Sequence, residues 1–74
     1  MTEQRIGYLT WIKATTQNGL AWYSHRRQYR LRARQIGPST WVAGHEVAGG
    51  QWAMIASGPT LAAVSARAEE WVRK

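Results

Sequence analysis

QYRLRARQI, residues 28–36, alternates strictly: Tyr29, Leu31 and Ala33 fall on one side, Arg30, Arg32 and Arg34 on the other. Period-two alternation is the pattern of a half-buried strand. It assigns the rings and aliphatic groups to a core and leaves three guanidinium groups facing water. The rest of the fold can be built outward from that choice of faces.

Gly37-Pro38-Ser39 turns the chain after this strand. A three-residue loop sets Ala33 opposite Ala43 and Leu31 opposite His45, so the apolar sides join. A two-residue loop slips the register by one and puts the arginines on the apolar face. The apolar match favours three residues.

A repeat surrounds this strand. TWIKATTQNGLAW, residues 10–22, and TWVAGHEVAGGQW, residues 40–52, share Thr-Trp-β-branched, six residues, Gly, two residues, Trp. Each reads as a hairpin, with Asn18-Gly19 suited to a type I′ turn and Ala48-Gly49-Gly50 a comparable glycine turn. A turn at 18–19 sets Thr15 opposite Trp22, and a turn at 48–49 sets His45 opposite Trp52. The spacing then brings Trp11 with Trp22, and Trp41 with Trp52, onto one side of the sheet. Duplication and convergence on a good hairpin both account for the repeat. Trp71-Val72 keeps the same interval but lies in a helical context.

From Thr60 the period changes to that of a helix, with Leu61, Val64, Ala68, Trp71 and Val72 on one face and Pro59-Thr60 as the start signal. The expected layout is strands near 7–14, 20–24, 28–36, 39–47 and 51–57, then a helix near 60–73. This is a single α+β domain over residues 1–74: an antiparallel meander sheet of four or five strands, covered on one face by a single C-terminal helix. The helix is expected over Tyr29, Leu31, Trp41, Trp52 and Met54, leaving Val42, Ala53 and Ile55 beside the arginines.

A chain of 74 residues has little surface to bury. Five Trp and three Tyr supply bulk. Cysteine is absent, which excludes disulfides and thiolate metal sites. No apolar run approaches a membrane span and the first residues lack a signal-peptide core, so a cytoplasmic protein without membrane contact is expected. Two histidines, four Glu and no Asp supply neither a zinc ligand set nor a catalytic triad, so no catalytic residue, metal or cofactor is expected.

The net charge of +6 is one-sided: residues 1–36 hold seven Lys or Arg against one Glu, residues 37–74 three against three. Arg26, Arg27, Arg30, Arg32 and Arg34 crowd one stretch, and the candidate basic face is assigned to these five. Guanidinium groups two residues apart on a strand stand roughly 7 Å apart, a spacing suited to phosphates. A non-enzymatic nucleic-acid-binding module is the leading expectation. The alternative is a protein-interaction module that binds an acidic host protein, with Val42 and Ile55 on its partner surface, in a homodimer or alone.

YRLRARQIGPSTWVAGHEVAGGQWAMIASGPTLAAVSARAEEW, residues 29–71, resembles the small uncharacterised strands-then-helix proteins carried by actinobacterial phages. The resemblance rests on a Trp-rich sheet, the Gly-Pro-Thr-Leu-Ala-Ala helix start and an Ala/Arg-rich, Lys-poor composition. It implies a host-directed or regulatory role. The layout is also similar to the arm-binding domain of tyrosine integrases, whose three-stranded sheet enters the DNA major groove. That likeness implies Arg30, Arg32 and Arg34 as the groove-facing residues.

Overall fold

The structure, a computed structural model, describes residues 2–17 and 19–73. Six antiparallel strands follow in chain order: β1 (Thr2–Ile6), β2 (Leu9–Thr16), β3 (Gly19–Arg26), β4 (Tyr29–Gly37), β5 (Thr40–Glu46) and β6 (Trp52–Gly58). One helix, α1 (Leu61–Val72), completes this α+β meander. The strand beyond the expected four or five is β1. Its residues TEQRI carry no apolar alternation and, except for Ile6, are exposed, so nothing local announces it. Pairing with β2 and a two-residue turn at Gly7-Tyr8 hold it, with Gly7 at φ 62°. The Tyr8 amide donates to the Glu69 carboxylate of α1 at 2.8 Å, which ties this edge hairpin to the helix.

The faces of β4 follow its alternation. Leu31 and Ala33 are fully buried, and Tyr29 packs at the margin of the core. Ala33 pairs with Ala43 and Leu31 with His45, the pairing expected of a three-residue loop. The chain reaches it by other means: Gly37 pairs with Thr40 across Pro38-Ser39, and the register shifts between Gln35 and Gly37, leaving Ile36 exposed.

The first repeated hairpin pairs Thr16 with Gly19 and Thr15 with Leu20. Its connection is therefore residues 17–18 rather than 18–19, and Trp22 lies opposite Lys13, not Thr15. Asn18 itself lies outside the described residues. Because the slip is by two, Trp11 and Trp22 still share a face, and both pack in or against the core.

The second hairpin departs further. Ala43 pairs with Ala56, but Gly44 pairs with Met54, so Ile55 is an extra residue on β6. This bulge reverses the faces of the preceding part of the strand. His45 faces Ala53 rather than Trp52, and Trp52 pairs with Glu46. Trp41 packs against the core while Trp52 and Met54 turn to the opposite face. A Cβ on Gly44 would stand 2.9 Å from the Ala53 carbonyl oxygen, so the close approach at the bulge requires glycine.

Thr60 caps α1 by accepting a hydrogen bond from the Ala63 amide at 3.1 Å. Leu61, Val64, Ser65, Ala68 and Val72 are its buried face, and with Leu9, Trp11, Leu31, Ala33, Ala43 and Ala56 they form the core. The fully buried Trp11 donates its Nε1–H to Ser65 Oγ at 2.8 Å, which satisfies the one polar atom that a buried indole carries. The helix starts beside β6, packs over β5 and β4 and touches β1. Tyr29, His45 and the half-buried Trp71 stack where it ends, with Tyr29–Trp71 and His45–Trp71 centroids 4.8 and 4.6 Å apart. No helix among the described residues is long and apolar enough to cross a membrane.

Candidate functional site

The helix covers one side of the sheet and leaves the other open. Cross-strand pairing fixes what stands on the open side. Ile12 faces Tyr23, Tyr23 faces Arg32, Arg32 faces Gly44 and Gly44 faces Met54. Arg30 and Arg34 flank Arg32 on β4, opposite His25 and Val42 respectively. Arg30, Arg32 and Arg34 therefore form the outward row that the alternation of 28–36 predicts.

The other two arginines leave this row. Arg26 pairs with Tyr29 and so belongs to the helix side, with its guanidinium 5.7 Å from the Tyr8 ring. Arg27 occupies the β3–β4 turn at φ 58° and donates to the Val72 carbonyl at the C-terminal end of α1, 3.3 Å away. A cation there complements the negative end of the helix dipole and satisfies a carbonyl that the last turn leaves unpaired. The expected five-arginine face is thus three arginines in a row, with Arg26 on the helix side beside Tyr8 and Arg27 at the helix end. The reason is parity: Arg26 is an even residue on β3, where even positions point to the core, and the alternation of β4 does not extend through the turn.

Trp52 is the residue that sequence reasoning places on the wrong face. Its ring stands 4.6 Å from the Arg32 guanidinium and 6.3 Å from the Tyr23 ring, edge to face. β5 lies between Trp52 on β6 and those partners, and Gly44 is the β5 residue beneath the crossing. The glycine thus allows the bulge and clears the path for the indole. An isolated glycine inside a strand pattern is a bulge signal, and Gly44 was the available clue.

Tyr23 and Trp52 are both half-buried. Together with Ile12, His25 and Arg30 they line a depression of about 390 Å³ on the open face. A smaller hollow of about 100 Å³ lies between Arg32, Arg34, Val42, Trp52 and Met54. Val42 is therefore where the protein-partner expectation places it, whereas Ile55 is not: the bulge turns it against the core. Met54, 71% exposed, takes its place on the open face.

The open face is basic at its centre and mixed at its margins. On edge strand β1, Arg5 pairs with Thr10 and Glu3 with Ile12, which adds one charge of each sign. At the other margin Glu46 accepts from Arg30 at 3.3 Å, with the arginine side chain still 68% exposed. No group of three metal-ligating side chains occurs among the described residues. His45 is engaged with Tyr29 and Trp71, and His25 is exposed at the rim of the depression. No known family model, curated protein or solved structure matches the chain.

Proposed function

We propose that this chain is a non-enzymatic binding module that holds nucleic acid on its open sheet face, chiefly through phosphate contacts from Arg30, Arg32 and Arg34. The observation that carries the reading is the arginine row itself: three guanidinium groups on one strand, on the face the helix leaves uncovered, the central one stacked on Trp52. Arginine presents a fork of donors matched to phosphate oxygens. A row rather than a pocket suits a polymer with repeating charge. Neither histidine is hydrogen-bonded to a carboxylate among the described residues, which favours binding over acid–base chemistry. The accessory or regulatory role implied by the phage resemblance belongs to the same proposal.

The test is binding of mixed-sequence oligonucleotides by fluorescence anisotropy across a salt series. The affinity should fall steeply with salt, and Arg32→Gln and Arg34→Gln should each lower the log–log slope by about 0.7 on single strands or about 0.9 on duplex. Absence of binding at low salt would overturn the reading. An acidic protein partner is the competing reading, favoured by Val42 and Met54 beside Arg34. It requires capture of one acidic protein from host lysate to survive nuclease treatment and to depend on Val42 and Met54 as well as on the arginines.

A further inference from the structure

We infer that the nucleic acid this face takes is single-stranded, with bases stacking on Trp52 and Tyr23 while the arginine row holds the backbone. This rests on the nucleic-acid reading above and names its ligand class. Three observations carry it.

The first is where the rings are. Of the Trp and Tyr side chains on strands, Trp11, Trp22, Tyr29 and Trp41 lie in or against the helix-covered core, whereas Tyr23 and Trp52 meet on the open face. They are not needed to close the core, and they line the depression together with Arg30. A ring pair beside cations, half-open to solvent, is the composition of a stacking surface for unpaired bases.

The second is shape. The DNA major groove, about 12 Å wide, admits a helix or a two-stranded ribbon. The strands that carry this face, β3 to β6, span three strand spacings, or roughly 14 Å, within a sheet of six, although the two rings themselves meet with centroids 6.3 Å apart. A sheet this broad does not enter the groove, and the bases of a duplex are already stacked on one another, so a duplex would reach the arginines and leave the rings without a base to stack on. An unpaired strand can lie across the face and turn its bases down onto them.

The third is the link between the row and the rings. Arginines two residues apart stand roughly 7 Å apart, a spacing at which phosphates of one strand can each meet a guanidinium, and the row runs beside the ring pair, so a strand held by its backbone has its bases within reach of the rings. Arg32 spans both functions, since it lies 4.6 Å from the Trp52 ring and so fixes the indole by a cation–π contact.

The experiment uses the full chain with oligothymidylate of about 16 nucleotides, its RNA counterpart, and a mixed-sequence duplex of equal length. We expect either single strand to bind at least about tenfold tighter than the duplex and to quench tryptophan fluorescence, which the duplex leaves unchanged. Trp52→Leu and Tyr23→Leu should each weaken single-strand binding by about five- to a hundredfold and shrink its margin over the duplex. Circular dichroism and melting curves establish that the variants fold; should Trp52→Leu fail to, the strand preference and quenching of the unaltered chain decide. Duplex binding as tight as single-strand binding, without quenching, overturns this inference and leaves the phosphate-contact reading standing. No binding to any probe at low salt overturns both.

Discussion

Single atoms carry much of the weight in a core this small. The Trp11 Nε1–H to Ser65 Oγ bond lies wholly inside it. Removing the hydroxyl strands a buried donor, and Ser65→Ala should lower stability by about 1–3 kcal/mol in urea denaturation. Ser24 makes the opposite case. Its hydroxyl is buried and lacks a hydrogen-bond partner among the described residues, so Ser24→Ala should leave stability unchanged or raise it. A loss as large as that of Ser65→Ala would contradict this. On the open face, Glu46 holds one end of the arginine row by its contact with Arg30. Both partners keep solvent access, so the pair contributes no more than about 1 kcal/mol. Glu46→Gln should barely shift the melting temperature, yet strengthen single-strand binding, as the face loses a negative charge that competes with phosphate for Arg30. Unchanged binding would mean that Arg30 stands outside the interface.

The elements show what can be read from a sequence of this kind and what cannot. β4 was legible because its alternation is strict and both faces are chemically distinct; the inward set of Leu31 and Ala33 follows from pattern alone. The helix was legible from its period and from Pro59-Thr60, and Thr60 does cap it. β1 was not, since its exposed polar residues are held by pairing and by Glu69 from the far end of the chain, which no local window contains. Arg26 and Arg27 were misplaced because charge was counted along the chain while parity was followed only within β4. Trp52 was misplaced because one bulge exchanges the faces of the residues before it, and alternation carries no mark of an extra residue except Gly44. That bulge is testable. Gly44→Ala forces a Cβ against the Ala53 carbonyl and should lower stability by about 1–3 kcal/mol. It should also shift the Trp52 emission as the indole loses its path across β5. A neutral Gly44→Ala would show that the backbone at the bulge has room to give.

At the scale of the molecule, one helix divides the sheet into two surfaces with different work. The covered side gathers the aliphatic groups with Trp11, and at the helix end Tyr29, His45 and Trp71. Arg27 serves that end too, by binding a terminal carbonyl. The open side is left with the arginine row, the Tyr23–Trp52 pair and a depression between them. A chain with so little interior can spare two rings from its core only if that core closes without them, as the buried Trp11, Leu9 and Leu31 indicate. The most direct measurement of where ligand sits is an NMR titration of the labelled chain with an unpaired oligonucleotide. The account predicts that the Trp52 indole N–H, the Tyr23 amide and the Arg30, Arg32 and Arg34 side-chain N–H signals shift together, while the amides of Leu61–Val72 stay in place. Shifts gathered on the helix and at Arg26 and Arg27, with the open face silent, would contradict it.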